Sequence, residues 1–426
     1  MRGYDSPGTP KQYNKVGVLK FGPAKAKNVL VLNPGTSAGS AYFAPLARTL
    51  VKEVPGWQVW SVERRENLLE DQSVLDQAKL GMVTPQQLFD YYLGWTTDSS
   101  VTTHVQLVPD SSVPFARDWG MKTEIGDLRK VVKSAEALGG RVVVGGHSLG
   151  GSITTAYATW NFNGQPGAKG LAGLVFIDGG SSPTPIDKAT ATKELSDLQT
   201  SSPWLAFGGI AAPFAGLFAD VGGGLGIMDP NGPSILQTFP ALPPELNAPE
   251  RVTNEAGFGY ASDTETSPTS LTAFQAHDGH LAASGDPRPW DNAGELTPIN
   301  RYETMLTGWG LQGVDGNAWY HPMRLTIDAG AVGDGNANPA QKVLGVRTTE
   351  GDRVNVPMYA FGAALGDGRV LDATKALAKQ SHLPKSELTL VDKHNTYAHN
   401  DPNAAFPKNA FIAHLIPFLK SVGAGP

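Results

Sequence analysis

The chain has 426 residues, with 34 lysine and arginine residues against 40 aspartate and glutamate residues, a formal net charge of −6 at pH 7 and no cysteine. Its basic residues form no large cluster, so no nucleic-acid partner is predicted. The lack of cysteine excludes disulfides, thiolate nucleophiles and Cys-ligated zinc. A chain of this length exceeds one ordinary compact domain unless its fold carries an insertion.

The sequence contains no membrane span. No stretch reaches the roughly 18 consecutive apolar residues that a span needs, and residues 1–22 lack the apolar segment of an export signal. The polar lead YDSPGTPKQYN is typical of a segment that follows a removed export signal. We therefore expect a secreted protein whose signal is absent from this chain, with a cytoplasmic protein as the alternative. The sequence does not indicate an oligomeric state.

Apolar runs alternate with helical patterns over the first part of the chain. Strands are predicted at 16–19, 28–32, 58–62 and 171–177, and helices at 41–51 and 121–138. The longer helix carries apolar residues at steps of three and four. Such alternation predicts the α/β class, with a mostly parallel sheet covered by helices on both faces.

The stretch RVVVGGHSLGGS, at 141–152, has a serine at a corner between a strand and a helix. Three valines predict a buried strand, two glycines end it, and apolar residues then recur at helical spacing. Ser148 stands at the centre of a G-x-S-x-G pattern, in which small residues on both sides allow a strained turn to expose the serine Oγ. We interpret Ser148 as a nucleophile; a glycine-rich structural turn is the alternative.

A second G-x-S-x-G match surrounds Ser37, at 35–39. It also follows an apolar run, but it lacks the preceding chain from which a sheet could be built around it. We therefore expect Ser37 to have a surface or helix-capping role.

In these surroundings the elbow at Ser148 resembles the nucleophile elbow of the α/β-hydrolase superfamily, and the turn Pro34-Gly35-Thr36 resembles its oxyanion loop. The resemblance implies an α/β-hydrolase fold and a serine hydrolase of the esterase or lipase type with a catalytic triad. It implies no cofactor and no metal.

The alternation stops at Ser181 and returns near Val354, and half of the 32 prolines lie between 181 and 345. Within this insertion the pattern predicts helices at 189–198 and 204–217, a strand at 323–327, and a glycine-rich turn at 222–224. The resemblance implies that 181–345 forms a cap over a core made of 1–180 and 346–426. A separate accessory domain is the alternative.

Beyond the insertion, strands are predicted at 357–362 and 387–391, with a helix at 370–380 between them and a helix around Phe411 at the end. The loop after the last strand carries His394 and His399. In the superfamily the catalytic histidine belongs to this loop, and His399 is in the favoured position. His394 is the alternative.

The triad acid has two candidates. Asp178 directly follows the strand at 171–177, where some superfamily members place the acid and others carry a structural aspartate. Asp367 lies after the strand at 357–362, where most members place it, but five residues beyond Gly362. We favour Asp178 because it abuts its strand.

Two backbone N–H groups are needed to stabilise an oxyanion. Leu149 supplies one because it follows the nucleophile. Thr36 is the expected second donor, with Ser37 as the alternative, because Asn33-Pro34-Gly35 stands where the superfamily usually shows His-Gly.

The sequence therefore predicts hydrolysis of a small, apolar carboxylic ester through an acyl-enzyme. An amide or lactone hydrolase with the same triad is one alternative, and a ligand-binding protein on a hydrolase scaffold is another. Two clusters contain metal-ligand residue types, His277 with His280 and the loop 334–338. Neither has a complete ligand pattern, so no metal site is predicted.

Overall fold

The computed structural model describes residues 1–181, 184–333 and 335–424. Within these ranges the strands, numbered along the chain, are β1 Gly17–Phe21, β2 Asn28–Asn33, β3 Trp57–Glu63, β4 Val142–His147, β5 Gly173–Ile177, β6 His280–Leu281, β7 Trp290–Asp291, β8 Met358–Gly362 and β9 Leu388–Asp392. Seven of the described strands form one sheet in the order β1-β3-β2-β4-β5-β8-β9. Strand β1 is antiparallel to β3, and the other neighbours are parallel. The predicted α/β class is confirmed.

The α-helices of the described residues are α1 Ala44–Glu53, α2 Ser73–Lys79, α3 Pro85–Tyr92, α4 Met121–Glu136, α5 Leu149–Thr159, α6 Lys188–Leu198, α7 Phe214–Met228, α8 Asn254–Ser262, α9 Ile299–Thr307, α10 Met323–Gly330, α11 Pro339–Leu344, α12 Arg369–Gln380, α13 Asp401–Ala404 and α14 Ala410–Ala424. Short 3-10 turns connect many of them. Over the described ranges, none of these helices is long and apolar enough to cross a membrane.

The central strands place alternate side chains on opposite faces of the sheet. Val29 and Val31 of β2 are buried in one hydrophobic cluster with Ile125 of α4. Leu30, between them, is buried in a second cluster with Phe411 of α14. Because both faces are covered, the strands are apolar along their whole length, which is why continuous apolar runs identified them in the sequence.

The parallel strands end at a common edge of the sheet. In the register of the sheet, Asn33 of β2 lies beside Gly146 of β4, and His147 of β4 lies beside Ile177 of β5. Strand order reverses here, because the chain continues outward from β2 to β3 on one side and from β4 to β5 on the other. Ligands bind in the crevice at such a reversal in open α/β sheets. The loops after β2, β4 and β5 therefore meet where a site is expected.

The helix predicted at 204–217 is wrong, because α7 begins at Phe214 and continues to Met228. Helix α7 includes the three glycines at 222–224, for which the sequence predicted a turn. Glycine costs about 1 kcal/mol relative to alanine in a helix, but here it allows neighbouring helices to approach. A Cβ atom on Gly223 would lie 2.9 Å from Cγ2 of Thr307 on α9. Tertiary packing therefore overrides the local propensity.

The strand predicted at 323–327 is also wrong, because these residues belong to helix α10. Leu325 and Ile327 are both buried, and their alternation with polar residues imitates the period of a strand. A short apolar run cannot distinguish a strand from a buried helix segment.

The segment between β3 and α4 packs against the insertion. Leu75 of α2 and Leu88 of α3 share one hydrophobic cluster with Leu217 of α7 and Trp319. Helices α2 and α3 thus lie with residues assigned to the cap, although they precede the elbow in the chain. The division into a core of 1–180 and 346–426 and a cap of 181–345 stays a prediction.

Glu124 on α4 is expected to make the protein less stable as the pH rises. Its side chain is buried, and its Oε1 has no hydrogen-bond partner among the described residues. Burial raises the pKa of this carboxyl from 4.5 to about 8, although the positive charge of Arg64 opposes the rise. Between these values the native state holds a proton that the unfolded chain releases, so stability falls with rising pH by at most about 1.4 kcal/mol per pH unit.

We expect Glu124→Gln to reduce the fall of stability with pH between about pH 5 and pH 8 by at most about 1.4 kcal/mol per pH unit, which is the contribution of this one carboxyl. Chemical denaturation of wild type and variant at both pH values measures it. Glu136→Gln, at the partly exposed end of the same helix, is the matched control and should keep the wild-type slope. Equal slopes for wild type and Glu124→Gln would contradict the prediction.

Candidate active site

Ser148 occupies a strained corner between β4 and α5. Its backbone angles are φ 55° and ψ −124°, a conformation that non-glycine residues rarely adopt. The flanking glycines make this corner possible, since a Cβ atom on Gly146 would collide with the backbone of Gly150, and one on Gly150 would collide with the carbonyl of Asn33. The serine lines a cavity at the edge of the sheet.

His399 reaches the same cavity from the loop after β9 and contacts Asp178. The distance from His399 Nδ1 to Asp178 Oδ2 is 2.6 Å, and both side chains are buried. Asp178 follows β5, and its Oδ1 accepts the backbone N–H of Ala363 at 2.8 Å. Burial alone would raise the pKa of Asp178, but the hydrogen bond and charge of His399 outweigh it and hold that pKa below its ordinary value. The carboxylate is therefore kept ionised.

The alternative acid and the alternative histidine lie elsewhere. Asp367 is exposed, and His394 contacts a different carboxylate, with 2.6 Å between its Nδ1 and Oδ1 of Asp392. The structure thus brings His399 together with Asp178, not with Asp367.

The loop after β2 lies against the serine. A Cβ atom on Gly35 would be 3.0 Å from Cβ of Ser148, and Thr36 and Ser37 line the cavity. The N–H of Ser37 donates to Nδ1 of His321 at 3.3 Å. Leu149 is the first residue of α5, so its N–H has no partner within the helix. Of the two candidates in the β2 loop, only Thr36 has its N–H free of such a bond within the described residues.

Arg64, directly after β3, stabilises the loop after β2 through hydrogen bonds. Its buried guanidinium donates to the carbonyls of Pro34 at 2.9 Å, Gly35 at 2.9 Å and Ala38 at 3.1 Å. In a trans peptide the C=O and N–H point in opposite directions. Because the Gly35 carbonyl points to Arg64, the Thr36 N–H of the same peptide points away from it. In the sequence, the only signal for this role of Arg64 is that a charged residue directly follows a buried strand.

His147, the residue before the serine, supports the loop of His399. Its Nε2 donates to the His399 carbonyl at 2.8 Å, and the two rings lie with centroids 4.2 Å apart. Burial lowers the pKa of His147 to about 3, and the charge of His399 adds to this effect. His147 is therefore a neutral donor. The pattern G-x-S-x-G leaves this position open, so the motif did not reveal its role.

A second histidine and carboxylate pair, His277 and Asp401, stabilises the loop that carries His399. Asp401 accepts hydrogen bonds from the Nδ1–H of His277 at 2.6 Å and from the hydroxyl of Thr297 at 2.8 Å. This bond to Asp401 is the main cause that raises the pKa of His277. Among the described residues no group of three or more His, Cys, Asp or Glu side chains could hold a metal ion. The other candidate metal site, the loop 334–338, begins at Asp334, which lies outside the described residues.

Comparisons with known proteins show the fold. No family model and no curated protein matches the chain. A solved structure from Sulfolobus solfataricus, provisionally classed as a lipase, matches with a TM-score of 0.52 at 13% identity and covers 99% of this chain and 92% of that chain. A monoacylglycerol lipase from Paleococcus ferrophilus matches with a TM-score of 0.40 at 12% identity, covering 96% and 99%. Together with the sheet order and the elbow at Ser148, the first of these shows that the chain is a protein of the α/β-hydrolase fold.

Proposed function

We propose that the chain is a serine hydrolase that cleaves carboxylic esters through an acyl-enzyme. Ser148 is the nucleophile, His399 the general base and Asp178 the acid that orients it. The observation that carries this proposal is the 2.6 Å contact between His399 and Asp178 at the cavity that Ser148 lines.

In the first step the imidazole of His399 takes the proton of the Ser148 hydroxyl as Oγ bonds to the ester carbonyl carbon. The imidazolium that forms is stabilised by the ionised Asp178, which also fixes the proton on Nδ1. The C–O bond to the alcohol then breaks, and the alcohol leaves with the proton from His399. Water repeats the sequence on the acyl-enzyme and releases the acid.

The negative charge on the carbonyl oxygen requires two N–H donors. We assign these to Leu149, at the N-terminus of α5, and to Thr36. Two contacts support Thr36: Arg64 turns its N–H away from the guanidinium, and the N–H of Ser37 is bound to His321. The cap, 181–345 with helices α2 and α3, would then cover the substrate above the sheet.

Steady-state and rapid-mixing assays with p-nitrophenyl acetate and butyrate test this function. We expect turnover preceded by a burst of about one nitrophenol per protein, because nitrophenol is a good leaving group and acylation should therefore be faster than deacylation. A nitroanilide and a lactone measured in parallel distinguish ester from amide and lactone hydrolysis. No turnover of any of the three classes by folded protein would contradict a hydrolase and favour a binding protein.

Arg64→Lys tests the assignment of the oxyanion loop. Lysine cannot donate to three carbonyls in the fixed geometry of a guanidinium, so the loop should loosen and kcat should fall by about 10- to 100-fold, part of what a lost oxyanion donor costs. Arg65→Lys is the matched control: Arg65 is equally buried, but it binds Asp127 and not the loop. Both variants should lose stability in thermal melts. Equal kcat losses in both would contradict a specific role of Arg64.

A further inference from the structure

A second cavity adjoins the catalytic cavity inside the insertion. It is bounded mainly by α7, α8 and the segment 234–252. Phe207, Ala215, Ala219 and Phe274 line both this cavity and the one that contains Ser148. The two spaces are therefore neighbours that have part of their lining in common.

The second cavity is lined mostly by apolar side chains. Of its 21 lining residues, four are polar, and no charged side chain is among those that the structure describes there. Gln237 donates to the Ala248 carbonyl and accepts from the Val252 N–H. Asn254 likewise donates to a carbonyl and accepts a backbone N–H. These amides are already satisfied by the protein, so an apolar occupant leaves no buried polar group unpaired.

One face of helix α7 forms the long wall. Ala215, Ala219, Gly222 and Leu225 recur at steps of three and four and lie on this face. The first two also line the catalytic cavity, whereas Gly222 and Leu225 line only the second. The wall thus leads away from Ser148 over about 15 Å, at 1.5 Å per helical residue. That length fits an extended chain and exceeds what an acetyl or butyryl group can use.

Gly222 keeps this wall open beyond the part that lines both cavities. A Cβ atom there would lie 3.3 Å from Cδ1 of Leu236 and 3.4 Å from Cδ2 of Phe258, both of which line the same cavity. Any side chain longer than a methyl group at this position would therefore project into the cavity and close its far part.

We propose that the second cavity binds the linear alkyl chain of the substrate ester, and that Gly222 determines how long this chain can be. The inference rests on the proposed ester hydrolysis and names its substrate class: neutral esters with a medium to long, unbranched alkyl chain. Each methylene that the cavity buries should raise kcat/KM by about fourfold until the wall ends.

The test measures kcat/KM for p-nitrophenyl esters from acetate to hexadecanoate in wild type, Gly222→Leu and Ala219→Leu. For Gly222→Leu we expect the ratio of dodecanoate to butyrate to fall about 100-fold. Ala219 lies three residues closer to the catalytic cavity, about 4.5 Å along the helix. The chain-length limit of Ala219→Leu should therefore be shorter than that of Gly222→Leu by three to four carbons, about that distance.

Gly224→Ala is the matched control, because Gly224 lies on another face of α7, toward Leu88. It should keep the wild-type chain-length profile, and thermal melts of all variants check folding. Comparing kcat/KM of wild type and Gly222→Leu for dodecyl acetate shows whether the alkyl chain in the second cavity belongs to the acyl group or to the alcohol. If the Gly222→Leu ratio stays at the wild-type value for both kinds of ester, the inference is wrong.

Failure of this inference is separable from failure of the proposed function. Calorimetric binding of dodecanol, an uncharged probe, to Ser148→Ala protein needs no catalysis. We expect Ser148→Ala to bind dodecanol and the double variant with Gly222→Leu to bind it at least 10-fold more weakly. Equal affinities would overturn the alkyl-chain site even in an active esterase, whereas weaker binding without any ester turnover would overturn the hydrolase alone.

Discussion

Ser148→Ala is expected to lower kcat for ester hydrolysis by a factor on the order of 10⁶, with little change in KM. The methyl group of alanine cannot form the acyl-enzyme, and the remaining machinery can act only through water. Alanine also leaves the corner between β4 and α5 in place, because the glycines on both sides permit its backbone conformation. Steady-state kinetics on p-nitrophenyl butyrate measures the loss.

Ser152→Ala controls for the removal of a serine hydroxyl from the same helix. Ser152 lies one turn beyond Ser148, and its hydroxyl donates to the Gly180 carbonyl at 2.6 Å, outside the cavity. Its replacement should cost about 1 kcal/mol of stability through the lost hydrogen bond and leave kcat within about threefold of wild type. A comparable loss of kcat in Ser37→Ala, with Ser148→Ala still active, would transfer the nucleophile to the second G-x-S-x-G match.

Asp178→Asn is expected to lower kcat by about 10⁴, or about 5 kcal/mol in the barrier. The asparagine amide can present a donor to Nδ1 of His399, which then carries its proton on Nε2 and cannot accept one from Ser148. The imidazolium also loses its stabilising charge. Because the contact is short and buried, no solvent screens the lost interaction.

Asp367→Asn is the matched comparison, because this exposed aspartate follows β8 at the other position that the sequence allows. It should stay within about tenfold of wild-type kcat. The reverse order of the two losses would assign the acid to Asp367. Moderate and similar losses in both would mean that neither aspartate alone orients His399, and His394 with Asp392 would be tested next.

The part of the fold that the sequence predicted correctly is the part with the simplest pattern. The central strands β2, β4, β5 and β8 were identifiable because strands buried on both faces require continuous apolar runs. Ser148 was identifiable for a related reason, because its backbone conformation needs glycine at fixed positions on both sides. In both cases the physical requirement acts on neighbouring residues in the chain.

The missed features depend on contacts between distant residues. Helix α7 contains glycines that disfavour a helix locally, and its stability comes from packing against α8 and α9. The role of Arg64 becomes clear only from its contacts with the carbonyls of Pro34, Gly35 and Ala38. The role of Asp401 becomes clear only from its contact with His277, which is 124 positions away in the sequence. The choice between Asp178 and Asp367 was likewise a question of which loop reaches His399.

Mass spectrometry of protein treated with a fluorophosphonate identifies the residue that forms the covalent intermediate. We expect one phosphonyl group per chain, on the peptide that contains Ser148, with labelling lost in Ser148→Ala and slowed strongly in Asp178→Asn. Labelling of Ser37, or turnover of esters without any label on Ser148, would contradict the role of Ser148 as nucleophile.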